Sequence, residues 1–203
     1  MSKITWKSRW GKSDYRLKFI ILILLAILLL IAMPYGFDFI QNRGGIQWND
    51  PILNILPSLD LSWPIFISMY CLALVFIFRA VQNPDLVFRF IKSYILITIL
   101  RFILIYFIPL DPPLAMVSLV DPITKIFYGG KEITRDLFFS GHTSTMFLIY
   151  LLTENKREKF FALLVVLFIA IALLFQHIHY TADVLAAFPV TYLIWKFCSK
   201  NPE

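Results

Sequence analysis

Residues 19–33 are fifteen consecutive apolar side chains. A run of that kind is hard to place in a water-soluble fold. It is not isolated. Of 203 residues, 59% are hydrophobic and mean hydropathy is +0.74, whereas soluble domains run at about 45–50% apolar. A membrane crossing takes roughly 20 residues, so the apolar content suffices for six spans. This excludes a soluble domain, a disordered chain and a secreted disulfide scaffold. Cys71 and Cys198 form no Cys-x-x-Cys pair, so neither a thiolate metal site nor a disulfide framework is indicated.

The spans fall at 19–33, 62–80, 86–110, 138–153, 159–178 and 181–198. No Ala-x-Ala-like cleavage site follows the first, which predicts an uncleaved helix ending near Pro34-Tyr35-Gly36. The last two spans are separated by very little chain, which predicts a tight helical hairpin. Pro189 should kink the last span, as neighbouring helices permit. The expected fold is all-α: a six-transmembrane-helix bundle at 19–198, preceded by a basic segment (1–18) and followed by a short tail (199–203).

The net charge of +6 marks orientation rather than nucleic-acid binding. The first 18 residues carry Lys3, Lys7, Arg9, Lys12, Arg16 and Lys18. With both termini cytoplasmic, that side also gains Arg79, Arg89, Lys92, Lys156, Arg157, Lys159, Lys196 and Lys200, 14 of the 19 basic residues. The positive-inside rule favours this arrangement. The long loops, about 34–61 and 111–137, then face outward; their prolines suggest ordered caps. Arg101 belongs to neither side.

The histidines are three: His142, His177 and His179. All are expected at outward ends of spans, with Asp183 beside them. Ionisable groups at membrane depth are costly and usually mark function. His179 and Asp183 are four apart, one face of a helix, and a carboxylate on one imidazole nitrogen raises the basicity of the other. That makes an oriented nucleophile or general base. His142 comes from another helix and can protonate a leaving group. Ser140-Gly141-His142 opens that helix, where free N–H groups and the dipole favour an anion such as phosphate. Together these groups point to phosphoryl transfer. Arg101, Lys131 and Arg135 are candidate phosphate ligands. Arg101 leads, because a charge inside a span needs a reason; a structural ion pair with Asp60 or Asp111 is its alternative role. His177 is expected to face away from His179.

Phe139-Ser140-Gly141-His142-Thr143 and His179-Tyr180-Thr181-Ala182-Asp183 resemble the second and third motifs of the type-2 phosphatidic acid phosphatase superfamily. Within it, the chain is most similar to the sphingomyelin synthase-related branch. An arginine-bearing helix ending in Pro109-Leu110-Asp111-Pro112-Pro113 and the stretch from Leu56 to Asp60 resemble two further, weaker motifs of that branch. The resemblance implies a six-helix membrane enzyme that needs no metal or other cofactor. His179 would form a phosphohistidine, Asp183 would orient it, and His142 would act as acid and then base. The chain departs from the wider superfamily at the Ser-Arg that opens its third motif, where Ala172 and Leu173 stand, and it has no Arg-Pro.

The expected function is therefore lipid phosphatase or phosphotransferase activity in a membrane, with a bacterial inner membrane as the expected setting. The site would face the periplasm or the outside. The substrate would be a lipid phosphate ester arriving from the bilayer; the acceptor would be water or a lipid alcohol such as ceramide or diacylglycerol. Two alternatives remain: a zinc hydrolase built on the His/Asp cluster, and a lipid-binding protein without activity.

Overall fold

The computed structural model describes residues 5–119 and 133–199. Seven helices are found among them: α1 (Trp6–Trp10), α2 (Ser13–Asn42), α3 (Ser62–Gln82), α4 (Pro84–Phe107), α5 (Gly141–Leu152), α6 (Lys156–Phe175) and α7 (Thr181–Cys198). An isolated bridge joins Ile46 to Leu110.

Local chemistry sets several boundaries. Asn83 ends α3 and caps α4, its side chain accepting from the N–H groups of Asp85 and Leu86, with Pro84 at the first helical turn. Proline is well suited there, because its missing N–H has no helical partner. Asn155 likewise accepts from Arg157 and Glu158 at the start of α6. Ser140 caps α5.

α2 does not stop at Pro34; it continues through Gly36 to Asn42. Packing on α4 explains why. A Cβ on Gly36 would stand 2.7 Å from Phe102 Cε1, so glycine lets the helices touch. One turn on, Phe37 and Ile40 bury themselves against Ile105. Arg43 then closes α4 by donating to the Tyr106 and Ile105 carbonyls.

α2, α3, α4 and α6 are long and apolar enough to cross a membrane. α5 has 12 residues, a rise of about 18 Å, short of the roughly 30 Å of a hydrocarbon core. α7 has 18 residues but carries Asp183, Pro189 and Lys196 and is not in that group. None of the most apolar stretch of α2 is buried within the protein; Leu24, Leu28 and Ile31 stand exposed. Such side chains gain about 1.5–3 kcal/mol each on leaving water, which suits a helix set in a membrane.

The expected hairpin of the last two spans does not form. α6 and α7 each pack most extensively on α5, which lies between them. The connecting residues, 176–180, step around it, five residues reaching up to about 17 Å. His177 makes the turn with φ 54°. α5 also packs on α4 and α3, α4 also on α7 and α2, and α2 on little besides α4 and α1.

The N-terminal segment is tied to the α3–α4 turn. Trp6 Nε1 donates to Val81 O at 2.7 Å, Tyr15 Oη to Pro84 O at 2.9 Å, and Arg9 pairs with Asp85 at 2.5 Å. The Asp85 hydrogen bond holds the Arg9 guanidinium above its ordinary pKa against the opposing effect of burial.

At the other end, described residues of the loops are tied to one another and to the helix ends. Leu59 N–H donates to Phe175 O, Val117 N–H to Gln176 O, and Asp111 N–H to Ile46 O.

Candidate active site

α5 and α7 begin at the same end of the bundle, and their first turns are joined directly: Ser140 N–H donates to Asp183 O at 3.0 Å. Ser140 Oγ faces the N–H of Thr143, and Thr143 Oγ1 lies 3.1 Å from it. His142 is therefore the second residue of a capped helix. Its ring centre lies 6.4 Å from that of His179, with 65° between the planes.

His179 precedes α7 rather than lying on it. The four-residue spacing to Asp183 works for a different reason from the one expected. Asp183 is in the first turn of α7, and its carboxylate folds back so that Oδ2 accepts from the Tyr180 N–H at 3.0 Å. The same oxygen lies 3.4 Å from His179 Nδ1. Both residues are buried, His179 at 2% exposure and Asp183 at 0%, so the pair sits where electrostatic interaction is strong. Within the described residues, His179 Nδ1 and Asp183 Oδ1 lack a hydrogen-bond partner. A 3.4 Å separation is long for a working hydrogen bond, and catalytic contacts commonly shorten when substrate binds.

Arg101 reaches this junction from α4. Its Nε donates to Phe139 O and its Nη2 to Asp136 Oδ1, each at 2.8 Å. Asp136, not Asp60 or Asp111, is thus its acidic partner. The guanidinium lies against Gly141, where a Cβ would stand 2.5 Å from Nη1 and 2.6 Å from Cζ. Glycine permits this close approach; any larger residue would displace the guanidinium. A cation whose side chain is 14% exposed is thereby held against the first residue of α5.

The remaining candidates lie elsewhere. Arg135 bonds Asp111 Oδ1 at 2.7 Å and the Gln41 carbonyl, tying its loop to the end of α2. Lys131 falls outside the described residues. His177 turns away from His179, its ring nitrogens facing Leu114 O at 3.1 Å and Leu56 O at 3.2 Å. Among the described residues no three His, Cys, Asp or Glu side chains are grouped to hold a metal ion. Asp60 is occupied locally by Ser62.

Two residues that sequence reasoning passed over belong here. Asp136 stands six residues before His142 and fixes Arg101. Asp50, from the loop between α2 and α3, bonds Thr181 at the start of α7. The Asn49-Asp50-Pro51 string is a turn signal, but nothing in it indicates a partner so distant in sequence.

Residues 135–200 match the PAP2 superfamily C-terminal family. The match takes in α5, α6 and α7, and with them Ser140, Gly141, His142, His179 and Asp183. Arg101 and Asp50 lie outside it. It suggests phosphatase-type activity, in keeping with several helices apolar enough for a membrane protein. No curated protein matches the chain. A cavity of about 330 Å³ opens at the opposite end of the bundle, between Phe76, Arg79, Leu86, Leu152 and Glu158, and contains none of these residues.

Proposed function

We propose that the protein is an integral membrane lipid phosphatase or phosphotransferase that works through a phosphohistidine on His179. One observation carries the reading: two imidazoles, one in the first turn of α5 and one just before α7, 6.4 Å apart, with a buried carboxylate behind the second. With Nδ1 turned to Asp183, Nε2 is the nitrogen left to attack phosphorus.

In the first half-reaction the Nε2 lone pair forms the N–P bond as the ester P–O bond breaks, and the leaving alkoxide takes a proton from His142. In the second, an acceptor hydroxyl gives its proton to His142 and attacks phosphorus, and the P–N bond breaks to restore His179. Water as acceptor makes a phosphatase; ceramide or diacylglycerol makes a head-group transferase, as in the sphingomyelin synthase-related branch. Arg101 and the α5 N–H groups neutralise charge on the phosphoryl oxygens, where preorganised donors are most effective. No step uses a metal.

The topology proposed with this chemistry has six spans. α7 crosses with its Pro189 kink, and α5 crosses as a short helix sheltered by its neighbours. Both termini lie in the cytoplasm, and the site faces outward, reached by lipid from the outer leaflet of a bacterial inner membrane.

The test is a panel of lipid phosphate esters incubated with purified protein, scored for phosphate release and head-group exchange. Turnover abolished by His179→Ala, blocked by vanadate and preserved after exhaustive EDTA treatment is the expected result. Turnover lost on chelation and restored by zinc overturns the phosphohistidine, and absence of any turnover overturns the enzyme.

A further inference from the structure

At the start of α7 only half of the cap is its own: Asp183 accepts from the Tyr180 N–H at 3.0 Å. The N-cap residue is Tyr180, whose side chain makes no capping hydrogen bond. The Tyr180 hydroxyl points elsewhere, accepting from Trp48 N–H at 3.2 Å and donating to Asp111 O at 2.9 Å. The first turn of a helix nevertheless leaves N–H groups in need of an acceptor. That acceptor comes from 131 residues away in the sequence: Asp50 Oδ2 accepts from Thr181 N–H at 2.6 Å, and Oδ1 from Thr181 Oγ1 at 3.1 Å.

Asp50 is itself built in. It is 8% exposed, and Oδ1 also accepts from the N–H groups of Ile52 and Leu53. All four contacts are donors aimed at the carboxylate, an environment that suits the ionised acid and no neutral replacement. Asp50 touches neither His179 nor His142 among its hydrogen-bond partners. It holds Thr181, which stands midway between His179 and Asp183.

We infer that Asp50 is a positioning residue: by clamping Thr181 it sets the backbone that aims His179 at phosphorus and folds the Asp183 carboxylate back behind it. The inference rests on the proposed phosphohistidine reading. It also assigns a task to the loop between α2 and α3, which reaches the reaction through this clamp.

The experiment compares wild type with Asp50→Asn, Thr181→Val and Thr181→Ser. An Asn amide turns an N–H group towards one of the existing donors, so the clamp opens. Displacing a reacting group by about 1 Å is enough to lower turnover about 100-fold. The expected outcome is that kcat of Asp50→Asn falls by about that factor with KM nearly unchanged, that Thr181→Val falls less, and that Thr181→Ser retains wild-type kcat. A kcat for Asp50→Asn equal to wild type, or a loss explained wholly by the unfolded fraction in thermal scans, overturns the inference. Hydrogen exchange of the Tyr180–Asp183 amides is measured on the same samples at a temperature where all are folded. Loss of a hydrogen bond to a charged group should speed exchange there about ten-fold or more; unchanged exchange overturns the clamp. If wild-type protein turns over no phosphate ester, the functional reading fails, and the exchange comparison still decides whether Asp50 holds Thr181.

Discussion

Replacing Gly141 with alanine adds one methyl group, and its consequence can be worked from the geometry. The new Cβ would stand 2.5 Å from Arg101 Nη1, 2.6 Å from Cζ and 2.9 Å from Nη2, where ordinary contact begins at 3.4 Å. The guanidinium must retreat by about 0.9 Å from the nearest of these contacts. It is held by two 2.8 Å hydrogen bonds, to Phe139 O and Asp136 Oδ1. A retreat of that size breaks at least one, and a hydrogen bond to a charged group contributes about 1.5–3 kcal/mol. If Arg101 meets the transferring phosphoryl group, most of that loss appears in the transition state, lowering kcat/KM by roughly 10- to 150-fold. The helix itself should not suffer, because alanine is a better helix former than glycine by up to about 1 kcal/mol. The assay is turnover of a soluble short-chain phosphatidic acid in mixed micelles, with thermal unfolding measured on the same sample. Wild-type kcat/KM in Gly141→Ala would refute the placement of Arg101 at the reacting phosphate. A fall in activity matched by a fall in melting temperature would refute the argument that the damage is local.

Three further outcomes are expected. Asp50 carries a depressed pKa: burial alone would raise it, but the hydrogen bonds from Thr181, Ile52 and Leu53 outweigh that effect. A group depressed on folding adds stability above its unfolded pKa of about 3.9, and this is lost as pH falls through the folded value. The stability gap between wild type and Asp50→Asn should therefore narrow below about pH 4; a gap constant from pH 7 to 3 would contradict the assignment. Asp85→Ala leaves Arg9 without its partner in a pair only 13% and 5% exposed, which should destabilise the protein by about 3–5 kcal/mol while the folded fraction keeps its kcat. Thermal unfolding in detergent and the same turnover assay report the two quantities. Ser118→Cys, with Cys71 and Cys198 replaced, should react with a membrane-impermeant thiol reagent in intact cells. Protection there would reverse the proposed orientation.

What the sequence could convey depended on how local the cause was. Ser140 before Gly141 is a cap signal contained in a few residues, and α5 begins there. The apolar runs located the helices because each run is its own cause. The His179–Asp183 spacing identified the pair, yet the geometry came from a first-turn carboxylate folding back to the Tyr180 amide, not from a shared helix face. Long-range causes were hidden. Asp60 and Asp111 were the partners considered for Arg101, and Asp136 became visible as its partner only once the loops were placed. Asp50 offered only a turn signal, and its role depends on a docking event between distant segments. Pro34 and Gly36 read as a stop, whereas contact with Phe102 makes them part of a continuous helix. The α6–α7 connection read as a hairpin because its shortness says nothing about a third helix lying between.

That wedged position of α5 has a consequence for biosynthesis. α5 has 12 residues, too few to cross roughly 30 Å of hydrocarbon unaided, and its most extensive neighbours, α6 and α7, are both translated after it. The face it buries with Leu148, Ile149 and Leu152 is therefore complete only when those helices have been made. His142 and His179 come together only once the chain beyond α5 is in place.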